Sequence, residues 1–412
     1  MKKNSNFLLY LMLAGIASGV VCGWVFGTEM EVVAWMGEIF LSLLKMLVVP
    51  LIISSMIVGI AGLGDVRKVG KTGAITFIYF MTTTAISVTL GLIMVNLINP
   101  GVGVEMIAQE LPQRIAEKKA IGITDILKSF VSDNLVRSMA NLDILPIIIF
   151  SLVFGGVLTT LGDKGKPVIA FFDGVNAAIM KVVHLVMYVA PLGVFALIAS
   201  KMGAAGGGEL FVAEIMKLGK YALTVVLALM IHAAVVLPLI LYFVTGRNPL
   251  RYLINASQAL VTAFSTASSS ATLPVTIECA ELRNKVSRKA SLFVLPLGAT
   301  VNMDGTALYE AVAALFIAQL FGIELGFGQQ VIIFLTATLA AIGAAGIPQA
   351  GLVTMVMVLT AVGLPLEGIG MLLSIDWLLD RFRTATNVWG DSVGAAVVDT
   401  LEAKYVEGGN EN

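Results

Sequence analysis

The chain has 412 residues, 58% of them hydrophobic and 13% charged, with a net charge of −1. Soluble domains carry about half apolar and a quarter charged residues, so this composition excludes an ordinary soluble globule and points to an integral membrane protein. The near-neutral balance excludes a basic nucleic-acid surface, and two cysteines, Cys22 and Cys279, in apolar surroundings give no disulfide framework.

Apolar runs such as 7–26, 39–60 and 221–244 are long enough to cross a bilayer as helices of roughly 20 residues. Loop charges set the topology, because Lys and Arg concentrate on the cytoplasmic side. Lys2 and Lys3 precede the first span, which reads as a retained helix without a cleavage pattern. Glu29 and Glu31 follow it outside, and Arg67, Lys68 and Lys71 follow the second span inside. The third ends near Asn99-Pro100, before a polar segment of mixed charge that reaches Ala120. The fourth, from Ile123 to about Leu161, is polar in its middle (Asp133, Asn134, Arg137, Asn141, Asp143), which predicts a broken helix. A fifth span runs from Pro167 to the glycines at 203–208, and a sixth ends at Arg247 and Arg251.

Residues 253–280 lie between two basic, cytoplasmic ends. Fewer than 30 residues cannot cross twice at about 1.5 Å per residue, so each arm is expected to reach only halfway, with 265–274 as the tip of a re-entrant hairpin. Residues 331–362 repeat the pattern from the other side. Their flanks carry Glu324 and Glu367 without Lys or Arg, and Gly343-Ala344-Ala345-Gly346-Ile347-Pro348-Gln349-Ala350-Gly351 interrupts the helix. Two interrupted segments entering from opposite faces are the sequence pointer to a transporter's binding site.

In the last span, about 370–401, Asp376, Asp380, Arg383, Asn387 and Asp391 share one helix face, while Arg381 points away from it. An internal salt-bridge ladder is the plainer reading. The functional one matches the planar fork of Arg383 to a substrate side-chain carboxylate, and Asp380, with Thr384 nearby, to an amino group. Asn387 and Asp391 are hard oxygen ligands for a small cation. In the seventh span, about 290–321, Asn302-Met303-Asp304-Gly305-Thr306 predicts an unwound turn whose free carbonyls, amide and carboxylate make a sodium site. Asp304 as a lone structural carboxylate is the alternative. Glu310, further along, can carry a proton in low dielectric rather than a fixed charge. Ser268, Ser269 and Ser270 offer hydroxyls and free N–H groups at a half-helix start, which suits an anion, although a serine run alone is often only a turn. Thr82-Thr83-Thr84 is a weaker signal, since Thr often bonds back to its own helix. His184 and His232 receive no role.

The motifs Ser268-Ser269-Ser270-Ala271-Thr272-Leu273-Pro274, Asn302-Met303-Asp304-Gly305-Thr306, Gly346-Ile347-Pro348-Gln349-Ala350-Gly351 and Asp380-Arg381-Phe382-Arg383-Thr384 through Asn387 to Asp391 resemble the excitatory amino acid transporter family, the dicarboxylate/amino acid:cation symporter group. The resemblance covers nearly the whole chain and is similar to a prokaryotic member close to the animal glutamate transporters. It implies an all-α membrane protein of about eight transmembrane helices and two re-entrant hairpins, arranged as inverted repeats and working as an elevator. It also implies a homotrimer in the cell (inner or plasma) membrane, multi-pass, with both termini cytoplasmic. Residues 1–68 and 100–209 would form the scaffold, and residues 69–99 and 210–412 the moving transport domain.

By the same resemblance the chain is no enzyme but a sodium-coupled symporter of L-glutamate or L-aspartate. Arg383 would bind the side-chain carboxylate and Asp380 the amino group. Asn387 and the Ser269 region would hold the main carboxylate, and Thr306 and the Gly351 region would complete the pocket. Sodium would fall on Asn302, Asp304, Asn387 and Asp391, with a further site from Thr83, Thr84 and carbonyls near Tyr79. Ala267 stands where archaeal aspartate transporters carry an arginine, here moved to Arg381, and Glu310 stands where they have glutamine. Both features match the animal branch and open the reading of proton symport and potassium antiport through Glu310. Phe80 replaces a tyrosine near a sodium site. The alternatives are a proton-driven C4-dicarboxylate carrier of the same fold, which Asp380 argues against, and a protein acting mainly as an anion channel.

Overall fold

Helices built from these apolar runs account for the secondary structure of the computed structural model, which describes residues 2–62, 71–102, 123–204, 209–344 and 350–409; no strand occurs among them. The first two helices, α1 (Lys2–Phe26) and α2 (Ala34–Ala61), are joined by a tight turn. The third, α3 (Lys71–Ile98), precedes a fourth span that is broken into α4 (Ile123–Ser129), α5 (Leu135–Asn141) and α6 (Ile144–Thr160). The predicted break has a local cause. Asn134 caps α5 by accepting from the Arg137 N–H at 3.0 Å, and Leu142 ends it with φ of 59°. The long α7 (Lys166–Ala204) lies against α1 and α2, and α6 packs along α2, so these four helices form one group.

The second group is built around two helices. The sixth span comprises α8 (Glu209–Ile231), a π turn and α9 (Leu237–Thr245). The first hairpin is α10 (Pro249–Thr266) and α11 (Ser269–Glu278). Then come α12 (Arg288–Val301), α13 (Asp304–Leu320), the second hairpin arms α14 (Phe327–Ala340) and α15 (Ala350–Val362), and α16 (Ile369–Gly409). Every residue of α13 except Gln319 is buried. It runs beside α3 and α16, and α16 in turn packs on α10, α12, α9 and α8.

Among the described residues, four stretches are long and apolar enough to cross a membrane: Ala14–Ala61, which holds two helices, Thr72–Ile98, Gly162–Ser200 and Met216–Thr245. The seventh and eighth spans fall outside that set because one is broken and the other carries charge.

The first hairpin differs from expectation. Its tip is only Ala267 and Ser268, not 265–274, because Ser268 caps α11 by accepting from the Ala271 N–H at 3.1 Å and helix resumes at once. Ala267 makes the corner with φ of 50°. The first arm has 18 helical residues, about 27 Å, and the second has 10 that run on through the five-residue π turn Cys279–Arg283, so the arms are of comparable length. Arg381 of α16 donates to the Phe264 and Ser265 carbonyls at 3.0 and 2.9 Å, a cationic cap on the last turn of α10. In the second hairpin, the turn Ala341–Gly343 packs against α2, whereas Gly346, Ile347, Pro348 and Gln349 lie outside the described residues.

Candidate functional site

The five polar residues that share one face of α16 are all buried, and they face the broken seventh span. At the upper end of this stripe lies Arg383, fully buried. One terminal nitrogen, NH2, reaches Asp380 at 2.8 Å and Asp376 at 3.1 Å. The guanidinium carbon sits 3.9 Å over the Tyr309 ring, a cation–π contact in a dry environment. The ladder expected from spacing is thus present, but it does not satisfy the arginine. Its Nε and NH1 groups have no hydrogen-bond partner among the described residues. Leaving a buried donor unmade costs about 1–3 kcal/mol, more for a charged group, so the unpaired NH1, beside the NH2 that Asp380 holds, is where an anion would be stabilised. Gly351 of α15 faces it. A Cβ there would lie 2.7 Å from NH1, so only glycine lets α15 pack this closely over the guanidinium.

Asn387, one turn along, is pinned to the helix break. Its side-chain oxygen accepts from the Gly305 N–H at 2.7 Å, and its NH₂ group reaches Thr306 Oγ1 at 3.3 Å and Met303 Sδ at 3.2 Å. Thr306 and Thr384 are buried. The break is shorter than the predicted turn: only Asn302 and Met303 leave the helix, and Asp304, Gly305 and Thr306 already form the first turn of α13. Glu310, on α13, is fully buried and faces Thr354 of α15, with the Arg383 charge acting on it.

Below this layer oxygens converge. Asp304 Oδ1 accepts from Thr84 at 2.7 Å and lies 3.3 Å from the Thr83 hydroxyl, which is also 3.3 Å from Asn302 Oδ1. Asn302 donates to Asp391 Oδ1 at 3.0 Å. The Tyr79 carbonyl meets Thr83 at 3.1 Å, and the Tyr79 hydroxyl donates to the Gly390 carbonyl at 2.9 Å. Ser87 donates to the Asp304 backbone carbonyl at 2.8 Å, holding the helix start in place. Two fully enclosed carboxylates, an amide oxygen, two hydroxyls and nearby carbonyls are the hard donor set that suits an alkali cation. Burying two carboxylates side by side is costly unless positive charge joins them.

The serine run is divided. Ser268 serves as the cap of α11, Ser269 is buried, and Ser270 is exposed. Ser270 lines a cavity of about 500 Å³ shared with Ser55 and Gly59 of α2, Pro296 of α12 and Gly343 of the second hairpin. Arg383, Asp380, Asn387, Thr306 and Gly351 are therefore brought together, whereas Ser270 faces a different space.

Three contacts at the site were not foreseen from sequence. Tyr309 follows Asp304 by five positions and is recognisable as a partner only once Arg383 is folded over it. Asp376 belongs to the stripe, but the sequence gives no sign that it shares Arg383 with Asp380. His232 sits with Nε2 3.2 Å from Asp304 Oδ2. Its one sequence signal is Pro238 six positions on, which disturbs helix register.

The family model described as the sodium:dicarboxylate symporter family matches residues 8–401. Among characterised proteins, excitatory amino acid transporter 3 of Mus musculus is 40% identical, covering 98% of this chain and 87% of that protein. Excitatory amino acid transporter 1 of Ambystoma tigrinum is 39% identical over 99% of this chain and 85% of its own length. Excitatory amino acid transporter 2 of Homo sapiens is 38% identical over 98% and 82%. With near-complete coverage and this buried polar axis, the chain belongs to the sodium:dicarboxylate symporter family.

Proposed function

We propose that this protein imports an acidic amino acid, L-glutamate or L-aspartate, by sodium-coupled symport. The observation that carries the reading is the incompletely hydrogen-bonded guanidinium of Arg383, covered by Gly351, on the same face of α16 as Asp391, which joins a closed set of hard oxygen donors from α3 and the helix break. Arg383 takes the side-chain carboxylate bidentately, and Asp380 turns to the amino group once the substrate carboxylate replaces it on the guanidinium. Asn387 and the Ser269 region receive the main carboxylate. A C4-dicarboxylate would leave Asp380 without an amino group to meet, which favours the amino acid. The names of the similar transporters support the same class.

Sodium is the second cargo. It is held by Asn302, Asp304, Asn387 and Asp391, and a further ion by Thr83, Thr84 and the carbonyls around Tyr79. An anion entering against an interior of −100 mV costs about 2.3 kcal/mol before any concentration gradient. At least two cations must therefore travel with it to make entry electrically favourable. Glu310 carries a proton inward and, on the return, gives way to potassium.

The cycle is an elevator. The α1, α2, α6 and α7 group serves as the scaffold in a homotrimer, and the α3 and α8–α16 group moves across the bilayer. The second hairpin serves as the outer gate. Both termini lie on the cytoplasmic side of the cell membrane.

Calorimetric titration of the purified protein with L-glutamate and L-aspartate tests the coupling. Binding in sodium that weakens by orders of magnitude in choline supports the reading. Equal binding in the two salts, or tighter binding of succinate than of either amino acid, would overturn it.

A further inference from the structure

Between α8 and α9 the helix slips by one residue. His232–Val236 form a π turn in which the Leu237 N–H reaches back to the His232 carbonyl. Pro238 follows and has no N–H. In this wider register the carbonyl that Pro238 would have served is that of Ala233. The Trp389 indole N–H of α16 takes its place at 2.9 Å. The slip is thus locked from outside the helix, and π turns of this kind are frequent at functional sites.

What the slip presents to the interior is His232, fully buried, with Nε2 3.2 Å from Asp304 Oδ2. The two oxygens of Asp304 are then used differently. Oδ1 faces Thr83 and Thr84, and Oδ2 faces His232. An ionised carboxylate only accepts, so Nε2 carries the hydrogen. Nδ1 is then bare, in keeping with its having no hydrogen-bond partner among the described residues. The backbone at Gly390 closes the other side, since a Cβ there would stand 3.0 Å from Oδ2. Asp304 is therefore held on one edge by an imidazole and walled by a glycine, which leaves a single orientation for the oxygen that meets the threonines.

We infer that His232 is a positioning residue for cation binding: it fixes Asp304 Oδ2 so that Oδ1 stays turned into the donor set, and this raises the site's affinity for sodium. The inference rests on Asp304 being a cation ligand. Groups that orient a ligand from behind are typically worth about 10–100-fold in metal affinity. No proton needs to move for this role.

The test follows the thermal midpoint of the full-length protein as sodium replaces choline, since an ion that binds the native state raises it with concentration. His232→Gln places an amide N–H near the Nε2 position, whereas His232→Asn is one methylene short. The expected result is half-maximal sodium within about threefold of wild type for H232Q, and about 10–100-fold higher for H232N. Gly390→Ala, which presses on Asp304 Oδ2 and on the Asn302 amide, should also raise it. The midpoint in choline alone separates lost stability from lost binding, because a packing role would lower that baseline and leave the sodium dependence where it was. H232Q and H232N behaving alike would overturn the inference, whether both match wild type or both are weakened. Asp304→Asn is the separate control. A wild-type sodium response in D304N would show that the cation-ligand assignment itself is wrong.

Discussion

Replacing Arg383 by cysteine should convert the protein from a carrier of acidic amino acids into one with little affinity for them. The guanidinium has five N–H donors; NH2 donates to Asp380 and lies 3.1 Å from Asp376, and Nε and NH1 have no hydrogen-bond partner among the described residues. A substrate carboxylate that displaces Asp380 from NH2 and bridges NH1 and NH2 gains two charge-assisted bonds in a site closed to water. Removing one partner of such a buried pair costs about 3–5 kcal/mol, or roughly two to three and a half powers of ten in affinity. Asp376 and Asp380 lose their shared partner in the same variant, so failure to fold must be distinguished from failure to bind. The Thr84–Asp304 contact lies on other helices and does not involve Arg383. Sodium should therefore still raise the thermal midpoint of R383C, while calorimetry shows L-glutamate affinity lowered by at least a hundredfold and neutral amino acids such as L-cysteine gaining relative to it. An R383C protein that binds L-glutamate within threefold of wild type would refute the assignment of the fork to the substrate.

Gly351→Ala puts a methyl 2.7 Å from Arg383 NH1, so L-glutamate uptake should fall at least tenfold in apparent affinity while the sodium response of the empty protein is unchanged. Thr84→Ala removes the 2.7 Å hydrogen bond to Asp304 and should raise the sodium concentration needed for half-maximal uptake about tenfold, read from uptake across a sodium series. Thr84→Ser, which keeps the hydroxyl, should restore it. Glu310→Gln keeps shape and burial but cannot exchange a proton; substrate exchange between two loaded faces should persist while acceleration by internal potassium disappears. Arg381→Ala frees two carbonyls at the end of α10 and should speed hydrogen exchange in residues 262–267 without changing the equilibrium affinity for L-glutamate by more than about threefold.

Much of this fold is legible because membrane insertion punishes ambiguity. A polar residue in an apolar run needs a reason, so Asn302 and Asp304 announce the broken span, Asn134 announces the cap of α5, and the stripe from Asp376 to Asp391 names its own helix face. The lengths of the hairpin arms were less legible, since Ser268 acts as a cap and restarts helix where a run of serines suggested a longer loop. The aromatic partner of Arg383 was hidden for a different reason. Tyr309 is an ordinary aromatic until α13 lies against α16, and its value arises from a contact between residues 74 positions apart in sequence. His232 was hidden by register. A regular helix offers no reason to choose its direction, and only the slip forced by Pro238 and held by Trp389 turns it toward Asp304.

The central claim is coupled, concentrative transport, and the most direct measurement is uptake of radiolabelled L-glutamate and L-aspartate into proteoliposomes with sodium outside and potassium or choline inside. The account predicts accumulation above the external concentration that requires external sodium, grows with an interior-negative potential and is faster with internal potassium. Sodium-dependent accumulation indifferent to potassium would remove the antiport step and the role given to Glu310. No accumulation of either substrate under any imposed gradient, with anion current persisting across the same membranes, would contradict the account and leave a channel in its place.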